Sequence, residues 1–121
     1  MRVKIVRIYD KSYATVKAWA EPFKDEAPAI PEAVLVKFIE RLSMYKYELI
    51  KNNNSLCEYL YSNSKYWSLK VQISKNEIAF TAPRTKSFNS SLVFECLQTA
   101  SELCDTHNLA IYFSKDRDWI N

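Results

Sequence analysis

Residues 66–82, which read YWSLKVQISKNEIAFTA, carry the clearest secondary-structure pattern of the chain. Apolar side chains alternate with mostly polar ones on both sides of a short break at Lys75 and Asn76. The alternating apolar positions are Trp67, Leu69, Val71, Ile73, Ile78, Phe80 and Ala82. This pattern is typical of two antiparallel strands with one buried and one wet face, so it predicts a hairpin. Asn76 tolerates positive φ and takes the place in the turn that glycine often fills.

The segment before this hairpin predicts two helices. Apolar residues recur there at spacings of three and four, at Leu35, Phe38, Ile39, Leu42, Tyr45 and Leu49. This spacing predicts an amphipathic helix over residues 32–51, which begins after Pro31 and ends at the three asparagines 52–54. Ser55 followed by Glu58 has the spacing of a capping box, so we expect a short second helix over residues 56–61.

The two ends of the chain complete the predicted element order. At the N-terminal end, β-branched and alternating residues predict strands over 2–9 and 13–20, although the alanines of the second stretch also suit a helix. Three prolines within residues 21–31 indicate an extended connection. Towards the C-terminal end we expect a helix over 91–106, a buried strand over 109–113 and a polar tail over 114–121.

These elements predict an α+β fold built as a single domain over residues 1–121. We expect a mostly antiparallel sheet of four to five strands, with two main helices packed on one face. If residues 13–20 are left out of the sheet, the order is that of the split βαβ, or ferredoxin-like, arrangement. Such a fold hosts many unrelated functions and does not by itself supply one.

The composition excludes several classes of function. The 121 residues contain no glycine. The phosphate-binding loop, the dinucleotide fingerprint, the nucleophile elbow and the EF-hand loop all need glycine for positive φ or for close approach to a ligand. No apolar run is long enough for a membrane span, and no secretory leader is evident, so we expect a cytoplasmic protein.

The three thiols and the single histidine are the candidate groups for metal binding or nucleophilic catalysis. Cys57, Cys96 and Cys104 are an odd number without a disulfide pattern, and their spacing does not resemble a zinc site. Cys104, Asp105 and His107 allow a small Cys/His enzyme to be drawn, but Cys104 lies on the apolar stripe of the predicted helix and His107 has a sufficient role at the helix end, so the structural explanation is the better one. We therefore expect no metal, no cofactor and no catalytic residues.

Charge is distributed unevenly along the chain. The net charge is +3, yet residues 65–90 carry five basic groups and one acidic group, whereas residues 91–121 carry two and five. The polar face of the hairpin gathers much of this positive charge together with an aromatic ring. The candidate partner-binding residues are Lys65, Tyr66, Lys70, Gln72, Lys75, Arg84 and Lys86.

Three functions remain open at this point. The first is a non-catalytic domain that binds an acidic protein surface and inhibits or regulates its partner, as immunity proteins and small inhibitors do. The second is a domain that binds single-stranded nucleic acid, with bases stacked on Tyr66 and phosphates held by the lysines. The third is the small Cys/His enzyme. A solvated face without any specific partner also fits the charge pattern.

Overall fold

A computed structural model of the chain describes residues 2–17, 20–53, 56–63, 67–83, 97–102, 109–114 and 116–120. The strands are β1 (Arg2–Asp10), β2 (Glu48–Asn52), β3 (Cys57–Asn63), β4 (Trp67–Ile73), β5 (Ile78–Pro83), β6 (Leu109–Phe113) and β7 (Asp118–Ile120). The helices are α1 (Lys11–Val16) and α2 (Glu32–Met44), with a 3-10 turn at Lys24–Glu26 and a further helical stretch over residues 97–102.

All seven strands form one antiparallel sheet, in the order β2-β3-β4-β5-β1-β6-β7. Strands β2 to β5 follow one another across the sheet, and β1 is inserted between β5 and β6. This arrangement corrects the predicted fold. Within the described residues the protein is mostly sheet with three short helices, so the expectation of four to five strands with two main helices on one face, and with it the split βαβ, was wrong.

The predicted hairpin is present as β4 and β5, which pair in the register Val71 to Phe80 and Ile73 to Ile78. One side of the sheet, called the core face here, carries the apolar side chains of this hairpin and of β1, and packs against Phe38 and Leu42 of α2. Hydrophobic burial on this face supplies the main stabilising free energy of the fold. The other side carries Lys70 and Gln72 and is called the strap face, because α1 and the segment after it cross part of it.

Of the strand predicted over residues 13–20, residues 13–16 are instead helical and belong to α1. Asp10 accepts hydrogen bonds from the Ser12 backbone N–H at 3.2 Å and from the Ser12 hydroxyl at 2.6 Å, so it caps α1 at Lys11. Tyr13 is buried on the strap face beside Tyr9, which docks the helix there. The alanine content, which suits a helix as well as a strand, had left this outcome open.

The predicted helix over residues 32–51 is correct only as far as Met44. Two terminal hydrogen bonds close α2, from Tyr47 N–H to the Leu42 carbonyl at 3.0 Å and from Lys46 N–H to the Ser43 carbonyl at 3.1 Å. This is a Schellman motif, with Lys46 at φ 67° in the position where glycine is usual. Because no glycine marks the end, the periodicity continued to Leu49 and concealed strand β2.

The short helix predicted over residues 56–61 is strand β3. Its residue Glu58 does not serve a capping box, since it lies directly opposite Gln72 of β4. The expected polar tail also contains a strand, because β7 pairs with β6 through Trp119 opposite Tyr112. Strand β6 confirms the prediction for residues 109–113. Of the helix predicted over 91–106, residues 97–102 are helical and the remainder lies outside the described residues.

Candidate protein-binding surface

Three of the seven predicted partner-binding residues lie in the described part of the chain. Lys70 and Gln72 project from β4 onto the strap face, as the alternation implied, and Lys75 is exposed in the turn between β4 and β5. The remaining four, Lys65, Tyr66, Arg84 and Lys86, lie outside the described residues. The structure therefore brings Lys70 and Gln72 together and leaves the extent of the basic surface as a prediction.

Lys70 and Gln72 share one acidic neighbour. The Lys70 ammonium nitrogen lies 3.5 Å from Oε1 of Glu58, and the Gln72 amide donates to Oε2 of Glu58 at 3.4 Å. Glu58 is itself buried. The negative charge of Glu58 between the two residues reduces the positive potential that they would present to a partner.

A second ion pair, between Lys4 and Glu77, lies further along the strap face. Glu77 is buried, with its Oε1 2.7 Å from the Lys4 ammonium and its Oε2 accepting a hydrogen bond from the Tyr9 hydroxyl at 2.5 Å. Burial, and then the hydrogen bond to Glu77, raise the pKa of Tyr9 far above its ordinary value. This tyrosine stays neutral and donates a hydrogen bond, so the group is structural and not an activated base.

The β1–β6–β7 end of the strap face is closed by aromatic rings. Tyr9, Tyr13, Tyr112 and Trp119 meet edge to face, with ring centroids 5.3 to 6.3 Å apart. The Arg7 guanidinium stacks over Tyr112 at 5.2 Å and pairs with Glu21 at 2.8 Å. Lys17 and residues 20–27, together called the strap, thus cover these rings and leave no open aromatic platform at this end within the described residues.

A different surface is exposed at the opposite end of the sheet. Seven large apolar residues of the described chain are substantially exposed, and four of them lie within residues 44–50. The four are Met44, Tyr45, Leu49 and Ile50, which we call the edge patch. Leu49 and Ile50 are 50% and 47% exposed in β2, the terminal strand of the sheet, whose five residues are all exposed.

The edge patch is held firmly from behind. The Schellman turn fixes the backbone between α2 and β2, and the buried ring of Tyr47 lies 5.2 Å from that of Tyr61. The Tyr45 hydroxyl donates to Glu102 at 2.8 Å, and Arg41 donates to the Glu102 carbonyl at 3.0 Å. The hydrogen bond to Glu102 raises the pKa of Tyr45, which keeps this tyrosine in its donating form.

A surface pocket of about 380 Å³ adjoins the edge patch. Met44, Tyr45 and Lys46 form one wall, and Tyr61 and helical residues Gln98 and Thr99 form the others. A pocket of this size beside exposed apolar groups can receive a side chain from a binding partner.

The sequence prediction missed the edge patch because it placed these residues on a helix. Leu49 completed the apolar stripe of that helix, whereas it is exposed on a strand. One signal was available: the adjacent apolar residues Leu49 and Ile50, followed by Lys51 and three asparagines, are compatible with a short strand.

The groups considered for chemistry give no site in the described residues. No cluster of three or more His, Cys, Asp or Glu side chains that could hold a metal ion occurs there. Cys57 is a free thiol that lies 3.2 Å from Oδ1 of Asn52. The other groups, Cys96, Cys104, Asp105 and His107, are outside the described part of the chain.

The structure and the comparisons with known proteins add two findings. Among the helices within the described residues, none has both the length and the apolar character required to cross a bilayer. No protein-family model, curated protein or solved structure matches this chain, so its function has to be inferred from its own residues.

Proposed function

We propose that the chain is a non-catalytic protein-binding domain that docks through its edge patch and regulates its partner by occlusion. The observation that carries this proposal is the concentration of exposed apolar side chains in residues 44–50, on and beside a terminal strand. Immunity proteins and small inhibitors act in this manner, by covering a site on another protein.

Two physical arguments favour a protein as the partner. Clustered apolar side chains on a soluble surface are costly in water, and such patches mark interaction sites more often than scattered apolar residues do. A terminal strand also offers backbone N–H and C=O groups that an extended segment of another protein can pair with. The edge patch supplies both features within seven residues.

The rigidity of the patch favours affinity. The Schellman turn and the contact of Tyr45 with Glu102 hold Met44 and Tyr45 in place before any partner arrives. A preformed surface loses little conformational entropy on binding, so more of the interaction free energy remains as affinity.

The charge around the patch favours a partner with acidic groups. Lys46 and Lys51 flank the apolar residues and are exposed, and they outnumber the one exposed acidic residue between them, Glu48. Together with the net charge of +3, these lysines accelerate encounter with an acidic protein. The proposal includes a reducing, cytoplasmic location, which the free thiol of Cys57 supports.

The test is affinity capture from an extract of the cells that make this chain, with the wild type compared with Leu49→Lys and Ile50→Lys. We expect the wild type to retain a protein stoichiometrically and each variant to lose it, because a charge in the centre of an apolar contact is poorly solvated. Val36→Lys is the matched control, since Val36 is 49% exposed on α2 and lies outside the patch.

Equal retention of a partner by all four proteins would refute docking through the edge patch. Binding of an oligonucleotide with a steep dependence on salt would instead favour the nucleic-acid alternative. That alternative has less support, because Lys70, Lys4 and Arg7 on the strap face each pair with a carboxylate.

A further inference from the structure

Strand β2 carries a β-bulge that changes which side chains share a face. Glu48 lies opposite Leu60 and Lys51 lies opposite Glu58, with the extra residue Ile50 between them. Directly opposed residues of an antiparallel pair point to the same side of the sheet, and Glu58 and Leu60 are two apart on β3. Glu48 and Lys51 therefore both point to the strap face, although they are three apart in sequence.

We infer that in the free protein a second copy of this chain covers β2, paired antiparallel about a two-fold axis through the bulge. In this register Glu48 of each copy lies opposite Lys51 of the other. Between the two charge pairs, Leu49 of each copy meets Ile50 of the other. Without the bulge, residues three apart would point to opposite faces, and a two-fold axis perpendicular to the sheet could not oppose them.

The two charged groups are available for this pairing. Both are exposed, and neither forms an ion pair within the part of the chain that the structure describes. Lys51 also lies opposite Glu58 on the neighbouring strand β3, but the Glu58 carboxylate already contacts Lys70 and Gln72. Each copy thus brings to the contact one carboxylate and one ammonium group that have no ion pair among the described residues.

The pairing protects the β2 edges that two separate copies would expose. It joins two seven-stranded sheets edge to edge, and it withdraws Leu49 and Ile50 of both copies from water. A two-fold contact closes on itself, so it yields a dimer and not a chain of copies. The contact is short and its ion pairs remain near the surface, so we expect a dimer that dissociates on dilution.

This inference rests on the proposed function, because it concerns the regulation of the same edge. A partner that docks on the edge patch must displace the second copy. The dimer is then the resting form of the protein, and the monomer is the form that binds.

Sedimentation velocity over a range of protein concentrations tests the inference with a charge exchange. We expect the wild type to dimerise, and Glu48→Lys and Lys51→Glu each to weaken the dimer about tenfold or more, because two attractive pairs become repulsive. The double variant Glu48→Lys/Lys51→Glu should restore wild-type association. Glu40→Lys is the control for Glu48→Lys: it makes the same change in net charge, on an exposed position of α2, and should leave the dimer intact.

Three results would overturn the inference: a wild type that stays monomeric at every concentration, single variants that dimerise as tightly as the wild type, or a double variant that stays dissociated. Circular dichroism of each variant confirms that it is folded. A monomeric wild type that still captures its partner through the edge patch refutes the dimer alone. A dimer that captures no other protein refutes the occlusion role alone.

Discussion

At the scale of single residues, Lys46 shows how a chain without glycine ends a helix. Its φ of 67° is a left-handed conformation that brings the side chain of an L-residue close to the backbone. The two hydrogen bonds of the Schellman motif and the burial of Tyr47 offset this cost. The same turn aims β2 away from α2, so one strained residue determines where the edge patch lies.

The strain at Lys46 gives a stability prediction. Lys46→Gly should raise the free energy of unfolding by about 1 kcal/mol, because glycine adopts this conformation without a steric penalty. Lys37→Gly, in the exposed interior of α2, should lower the free energy by about 1 kcal/mol. Urea unfolding of both variants measures the two changes, and two changes of the same sign would contradict the assignment of strain.

The two carboxylates Glu77 and Glu21 should differ in their contribution to stability. Glu77 is buried and binds both Lys4 and Tyr9, so Glu77→Gln should lower the free energy of unfolding by about 1–3 kcal/mol. Glu21 pairs with Arg7 from a well-exposed position, so Glu21→Gln should cost less than about 1 kcal/mol. Chemical denaturation of the two variants compares them, and an equal loss would contradict the different roles.

Among the structural elements, the strap is held in position mainly by hydrogen bonds of Tyr13 and Trp119. The Tyr13 hydroxyl accepts a hydrogen bond from the Phe23 backbone N–H at 2.9 Å and donates to the Phe23 carbonyl at 3.1 Å. The indole N–H of Trp119 donates to the Lys17 carbonyl at 3.1 Å, which fixes the other end of the strap. These contacts hold an irregular segment over the aromatic cluster of the sheet.

Tyr13→Phe should therefore loosen the strap. The variant should lose about 1–2 kcal/mol of stability and exchange the Phe23 amide hydrogen faster, because the Phe23 N–H loses its acceptor. The Phe23 carbonyl keeps its hydrogen bond from the Glu26 N–H at 3.1 Å. Tyr45→Phe removes a hydroxyl that contacts Glu102 at the surface and should change stability far less. Hydrogen exchange followed by NMR provides the measurement, and unchanged exchange at Phe23 would show that the strap is held by other contacts.

Elements were predictable from the sequence where one periodicity dominated. Leu69, Val71, Ile73 and Phe80 alternate and are buried, so β4 and β5 could be identified in advance. The part of the predicted helix after Met44 was wrong, because the pairing of β2 with β3 outweighed a helical spacing. At the candidate site, Lys70 and Gln72 were placed on the correct face, but their shared neighbour Glu58 had been assigned to a helix.

At the scale of the whole molecule, the tyrosines connect stability to alkaline pH. The pKa values of Tyr9, Tyr59 and Tyr112 are raised, in each case first of all by burial. A raised pKa in the folded state means that these hydroxyls stay protonated while those of the unfolded chain ionise. Their contribution to stability is complete below the unfolded pKa near 10 and is lost as pH rises above it.

The free energy of unfolding should accordingly fall as the pH rises from about 10 to about 12. Tyr9→Phe should reduce the slope of this fall, because Tyr9 has the most strongly raised pKa of the three. Urea unfolding at several pH values determines both slopes. A stability that stays constant through this range, or the same slope in the variant, would contradict the assignment.

The β2 edge is the place where, as we propose, this molecule meets another protein. Photo-crosslinking in living cells tests this claim directly, with a photoreactive residue at Leu49 and, for comparison, at the equally exposed Val36. We expect a protein adduct from position 49, carrying a second copy or another chain, and none from position 36. No adduct at position 49, or an adduct with nucleic acid only, would contradict the claim.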